Sequence, residues 1–269
     1  MGAHISTEDI ESLHPVNWWR QNKEEHGVEL REKYSKPDSI HLSELEAGES
    51  IAIFGRRGSR RADVVRNILY SNRDIPIGLA ILQDGDPNNF RKHIPAALIK
   101  EGSETFECLN AIKSLNTHQQ KVKEEHDHDE RAFLLRNDQR IFTSNEYDQL
   151  VNDCYDSNLL FIQEFYYPTT TLRLDMFNFL VMFRYTLEYS TKQLYDSIAK
   201  PHFNTYAEFK DIMDKLSADE CLVIDTNQDG GVFVYNVKEP VANFKIGHPD
   251  LWEPEIWTES AARTESVKT

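Results

Sequence analysis

IAIFGRRGSRRADVVRNILY, residues 51–70, decides how this chain folds. Ile51–Phe54 is a short, continuous apolar run of the kind buried in a sheet, and Asp63–Tyr70 spaces its apolar residues at helical period. Gly55–Ala62 (GRRGSRRA) lies between them, in the place of a strand-to-helix turn. A turn built there to cradle phosphates reads G-x-x-x-x-G-K-[ST]. Gly55 fits the first position, but Arg60 stands at the second glycine, Arg61 at the lysine and Ala62 at the serine or threonine. The flanks predict a phosphate-loop scaffold, and the loop predicts that its chemistry has been dismantled. Taken without its flanks, the same stretch is a surface turn carrying four arginines.

Outward from this unit the chain alternates. IGLAIL (77–82), AFLL (132–135), NLLFIQEFYYP (158–168), MFNFLVMFRY (176–185), ECLVIDTN (220–227) and GGVFVYNVK (230–238) are strand candidates, making seven with IAIF. DGDPNNF (84–90) is a turn. Residues 100–130 read as helical, and 188–217 as two helices. Strands alternating with helices predict an α/β fold with a mostly parallel central sheet flanked by helices. The polar segment 1–41 carries Val16, Trp18 and Trp19, and two adjacent indoles are costly to expose, so it is expected to dock on the body. The body runs over 42–257, and 258–269 (TESAARTESVKT) lacks an apolar anchor and is expected to be disordered.

The chain has 269 residues, 39% apolar and 28% charged, which is enough for one large α/β domain and reads as a soluble globular protein. No apolar run approaches the length of a membrane span, so no membrane partner is expected. The first residues lack the basic start and apolar stretch of a signal peptide, and MGAHIS matches an N-myristoylation pattern only weakly. Cys108, Cys154 and Cys221 are widely spaced with no C-x-x-C pair, as expected of free thiols in a reducing compartment. A net charge of −15 argues against wrapping of DNA phosphates by the whole surface, although GRRGSRR remains a local basic strip. His126–Asp129 (HDHD) lies in the charge run KVKEEHDHDER. Residues one or two apart on a helix do not face each other, so this is a solvated helix end and no metal site is expected. His202 and His248, beside Pro or Phe, are expected to be structural.

The order of landmarks resembles the genome-packaging ATPases of large nucleocytoplasmic DNA viruses, the poxvirus-type branch of the FtsK/HerA superfamily. The resemblance covers roughly 42–253 and rests on several segments. GRRGSRRA is similar to the family's phosphate loop, with Gly58 and Ser59 in common. ILYSNRDIP (68–76) looks like the segment after the first helix, RAFLLRND (131–138) like the Walker B strand and NLLFIQEFYYP like the sensor strand. CLVIDTN (221–227) and FKIGHPDLW (244–252) look like the closing blocks. The fold implied is RecA-like.

The resemblance also implies a site whose parts are altered here. The nucleotide-binding positions become Gly55, Arg56, Arg57, Gly58, Ser59, Arg60, Arg61 and Ala62. In a working loop, backbone N–H groups and the lysine hold the phosphates, and the Ser or Thr hydroxyl holds Mg²⁺. Arg61 keeps the charge without the compact ammonium, and Ala62 has no oxygen. The two Walker B carboxylates correspond to Asn137 and Asp138, preceded by Arg136 where an apolar residue belongs. Tyr166 replaces the sensor glutamine. The arginine expected downstream falls on Met176 by an ungapped count from Pro168, with Arg173 nearby.

The reading favoured by these losses is a catalytically impaired homologue of the packaging ATPase. It would act as a structural or regulatory subunit in genome packaging or virion assembly. No cofactor is expected, with ATP and Mg²⁺ only if the site survives. Partners would be further copies, an active paralogue or capsid components, with DNA reached through the complex. The setting would be infected-cell cytoplasm, a viral factory or the virion. Two alternatives stay open. One is an unconventional ATPase in which Arg60 or Arg61 replaces the lysine and Asp138 carries the metal. The other is an anion- or nucleic-acid-binding module built on Arg56, Arg57, Arg60 and Arg61 at a helix N-terminus.

Overall fold

Strands buried on both faces form the middle of this protein, which is why they read as unbroken apolar runs. In the computed structural model the described residues are 45, 48–83, 88–101, 105–126, 131–137, 149, 152, 157–167, 177–227 and 231–252. The strands are β1 (Ser50–Phe54), β2 (Ile77–Leu82), β3 (Ile99–Glu101), β4 (Ala132–Arg136), β5 (Leu159–Phe165), β6 (Phe179–Phe183), β7 (Glu220–Asp225) and β8 (Val232–Asn236). They form one eight-stranded sheet in the order β3-β2-β4-β5-β1-β6-β7-β8. Pairing is parallel from β3 through β6, and β7 and β8 add as antiparallel strands. β5 therefore separates β1, which leads into the arginine loop, from β4, which leads to Asn137.

Helices cover both faces, as a parallel sheet requires. Among the described residues they are α1 (Arg61–Ser71), α2 (Thr105–His126), α3 (Glu188–Leu194) and α4 (Tyr206–Lys215). A π-helical turn, Tyr195–Ala199, continues α3. Strand alternation sorts the side chains into two layers. Ala52, Phe54, Leu134, Phe161 and Met182 pack with Ile112 of α2, Leu194 of α3 and Phe209 of α4. Ile51, Ile53, Leu135, Ile162 and Val181 pack with Val64, Val65, Ile68 and Leu69 of α1.

The segment 244–252 straps the start of β2. Ile246 N donates to His93 O at 3.0 Å, Gly247 N to Ile75 O at 3.2 Å and His248 N to Pro76 O at 2.7 Å. Phe244 stacks on His93 with ring centroids 4.1 Å apart. ILYSNRDIP and FKIGHPDLW, far apart in the chain, thus meet at one end of the sheet.

The α/β class with a mostly parallel sheet is as expected. The strand count differs: β3 is an eighth strand that periodicity missed. Its residues IKE are few and partly charged, and it exists because the open edge of β2 offers partners, Ala80 beside Ile99. β6 begins at Phe179, because Asn178 before it turns its side chain to accept from the Ser50 N–H at 2.8 Å. Cys108 and Cys221 are buried free thiols, and burial pushes the Cys221 thiol far up. Trp18, Trp19, Asp127–Asp129, Cys154 and the 258–269 tail lie outside the described residues. No described helix is long and apolar enough to cross a membrane.

Candidate functional site at the carboxyl edge of β1, β4 and β5

The loop after β1 is pinned at its start by Gly55 N donating to Phe165 O at 3.0 Å. Ser59 N donates to Arg56 O at 3.1 Å, closing a turn in which Gly58 takes φ +79°, a value that suits glycine. Arg60 then caps α1 without a side-chain cap bond. The backbone of a strand–turn–helix is thus present, and the side chains decide what it can hold.

Arg60 turns away from the loop. Its Nε lies 2.7 Å from Asp63 Oδ2, Nη1 lies 3.1 Å from Asp219 Oδ1, and Nη2 lies 2.9 Å from Glu239 Oε1. Nη1 also donates to Val237 O at 3.0 Å and Nη2 to Lys238 O at 3.3 Å. The bond to Asp63 outweighs burial and raises the guanidinium pKa further. Asn67 Nδ2 donates to Lys238 O at 3.0 Å, beside this clamp. Arg60, at the second-glycine position, fastens α1 to the chain around β7 and β8.

Arg61 turns inward and is 3% exposed. Its guanidinium carbon sits 3.9 Å from the centroid of the Tyr166 ring, a cation–π contact in a buried setting. Among the described residues its Nε and Nη1 have no hydrogen-bond partner. The stem of Arg61 lies against Gly55: a Cβ added to Gly55 would sit 2.9 Å from Arg61 Cδ and 2.6 Å from Ser59 Oγ. Gly55 is required here to admit an arginine stem. Tyr166 is itself buried, and its carbonyl accepts from Tyr185 Oη at 2.9 Å. Burial pushes the Tyr185 phenol far up, so it remains a donor. Arg61 and Tyr166, from the loop after β1 and the end of β5, therefore meet each other. Arg56 and Arg57 are exposed, with Arg57 5.7 Å from the Tyr166 centroid. The four arginines do not form one anion-facing set, because Arg60 is engaged elsewhere and Arg61 is buried.

At the end of β4, Asn137 spends its side chain on the backbone: Oδ1 accepts from Gln83 N at 2.7 Å. Asp138, Arg173 and Met176 lie outside the described residues. Arg136 is fully buried and registers with Gln163 of β5, whose Nε2 donates to Arg136 O at 3.4 Å and Glu164 O at 3.0 Å. Glu164 is fully buried too, accepting from Asn88 Nδ2 at 3.2 Å. Sequence reasoning passed over this carboxylate, although a Gln-Glu pair inside the apolar run NLLFIQEFYYP was the available signal. Among the described residues no three His, Cys, Asp or Glu side chains converge as a metal site.

No protein-family model matches the sequence, and no curated protein matches it. Solved structures do. The DNA-packaging ATPase of Sulfolobus turreted icosahedral virus superposes with a TM-score of 0.52 at 11% identity, covering 72% of this chain and 100% of that one. The genome-packaging NTPase of Sulfolobus turreted icosahedral virus 2, in complex with AMP, gives 0.50 at 11% identity, covering 72% and 98%. At this identity the likeness speaks for the fold. With the sheet order and the strand–turn–helix at β1, it makes this a RecA-like P-loop NTPase fold of the kind found in viral genome-packaging NTPases.

Proposed function

We propose that this protein is a catalytically impaired relative of the poxvirus-type packaging ATPases, working as a structural or regulatory subunit in genome packaging or virion assembly. The contact between Arg61 and Tyr166 carries this reading. Where a lysine and a glutamine would reach for phosphate oxygens, the two side chains stack on each other. Ala62 and Asn137 supply no anionic or hydroxyl oxygen for Mg²⁺, which prefers oxygen ligands and binds through carboxylates and phosphates. The body would span 42–257, with 1–41 as a docking extension and 258–269 as a tail. The subunit would act in infected-cell cytoplasm or a viral factory, beside further copies, an active paralogue or capsid components.

Calorimetric titration with ATP, with and without Mg²⁺, tests the proposal. The expected result is no Mg²⁺-dependent binding and a hydrolysis rate no higher than that of Asp138→Ala. Mg²⁺-dependent binding lost in Arg61→Ala, with turnover lost in Asp138→Ala, overturns it in favour of an unconventional ATPase. One observation favours a second reading, retention of an anion without hydrolysis: the buried Arg61 keeps Nε and Nη1 without acceptors among the described residues, at a helix N-terminus. ATP binding of equal strength with and without Mg²⁺ would select that reading.

A further inference from the structure

Among the described residues the large apolar or aromatic side chains left exposed are Tyr167, Leu187, Tyr189 and Val241, at 72, 68, 76 and 37%. The first three share one edge. Tyr167 follows β5, Leu187 and Tyr189 follow β6, and β1 lies between those strands. Arg56 and Arg57, on the loop leaving β1, are exposed at the same edge, and so is Arg184 at the end of β6. The loops touch through the Tyr185-to-Tyr166 hydrogen bond and through Arg57 over the Tyr166 ring.

Among the described residues Arg56, Arg57 and Arg184 make no ion pair, although the chain carries a net charge of −15. Glu188, between Leu187 and Tyr189 in the chain, accepts from Tyr206 Oη at 2.6 Å and lies 3.6 Å from Lys210 Nζ, and Asp63 of α1 is shared by Arg60 and Arg66. Beneath the patch, Arg61 adds a buried positive charge. Tyr and Arg together, around an exposed aliphatic side chain, are the composition of protein-contact centres. A long phosphate polymer would meet repulsion from the acidic body, and Leu187 offers no ring for a base to stack on.

We propose that this edge docks an acidic protein segment, whose apolar side chains pack on Tyr167, Leu187 and Tyr189 while its carboxylates meet Arg56, Arg57 and Arg184. The proposal rests on the reading that the subunit works by contact, and it gives that contact a place and a chemistry.

Fluorescence anisotropy on the full-length chain tests it with four labelled probes: a short peptide of alternating Glu and Leu, the same peptide with Lys for Glu, an all-Glu peptide, and an oligothymidylate. The Glu/Leu peptide is expected to bind tightest, and to weaken about tenfold in Tyr189→Ala and in Arg57→Glu. Both side chains are exposed, and an unchanged melting curve checks that the variants fold. Tighter binding of the oligothymidylate overturns the proposal in favour of a single-stranded nucleic acid. Equal binding of the all-Glu peptide reduces the surface to a diffuse charge effect and also overturns it. Self-association abolished by the same variants assigns the edge to a second copy instead, and no binding of the Glu/Leu peptide rejects it outright. ATP titration of the same samples keeps the two readings separable. A chain binding neither nucleotide nor peptide loses only the docking surface, whereas one that turns over Mg²⁺-ATP loses the impaired-site reading whatever the peptides do.

Discussion

The interior of the sheet and its carboxyl edge are built on different terms. In the interior, Ile51–Phe54 of β1 and Leu159–Ile162 of β5 are wholly buried and apolar, alternating between two layers of like side chains. At the edge the buried residues become Arg61, Arg136, Asn137, Gln163 and Glu164. An apolar interior is redundant, since any set of side chains of about the right volume preserves it. A phosphate site is not redundant, because each oxygen or ammonium does something that no neighbour supplies. The scaffold and its chemistry are therefore separable. Arg60 and Arg61, where a phosphate-loop pattern would have glycine and lysine, make structural contacts, one as an external clamp and the other as an internal stack.

The comparison breaks most readily from the interior. Phe161 is fully buried against Phe177, with ring centroids 5.7 Å apart. Phe161→Ala is expected to cost about 3–5 kcal/mol in denaturant unfolding, from lost transfer energy and a residual cavity. Gly78→Ala tests the opposite layer by crowding it: a Cβ there would sit 2.3 Å from the Phe133 ring. The overpacking should cost about 1–3 kcal/mol. If both substitutions were nearly neutral, the interior would not be the close-packed scaffold on which the contrast depends.

The sharper test is to rebuild the edge. A variant carrying Arg60→Gly, Arg61→Lys, Ala62→Ser, Asn137→Asp and Tyr166→Gln writes the phosphate-loop pattern, a carboxylate after β4 and a glutamine after β5 onto the unchanged strands. Mg²⁺-dependent ATP affinity should rise by about tenfold or more over the parent chain, read by calorimetry. No gain would mean that the loss extends beyond these residues into the backbone. Arg60→Ala alone should destabilise by roughly 1–2 kcal/mol. Most of that comes from its bonds to the half-buried Asp63 and to the Val237 and Lys238 carbonyls. The pairs with Asp219 and Glu239 are exposed and screened, so added salt should remove only a minor part. A melting difference that vanished entirely at high salt would demote the clamp to surface charge.

The same division governs what the sequence discloses. IAIF, IGLAIL and the other long apolar runs announce themselves because burial on two faces leaves no room for polar residues. β3 does not, since a three-residue edge strand depends on its neighbour and not on its own pattern. The altered positions from Gly55 to Ala62 were readable one by one against a phosphate-loop pattern. The directions taken by Arg60 and Arg61 were not. Whether an arginine reaches Asp219 or Tyr166 depends on residues brought close only by the folded sheet. Glu164 stayed hidden for a related reason, because its partner Asn88 lies on the far side of β4, after β2.

The smallest effect lies away from the edge, in the turn between α3 and α4. His202 is half-buried there, and burial lowers its pKa below the ordinary value near 6.5. The neutral ring is therefore the form the fold prefers. Above about pH 6.5 the ring is neutral in both the folded and the unfolded chain, and the full stability is present. As the pH falls through that value the unfolded chain takes up the proton first, so stability declines until the pH passes below the folded pKa. Unfolding free energies measured from about pH 7 to about pH 5 should fall more steeply for the parent chain than for His202→Gln. Because the ring keeps partial contact with solvent, the difference should be modest, below that of the Arg60 clamp. Equal slopes would mean that this histidine is hydrated as fully in the fold as in the unfolded chain, and that the helical layer over the sheet is looser there than its packing around Phe203 and Phe209 implies.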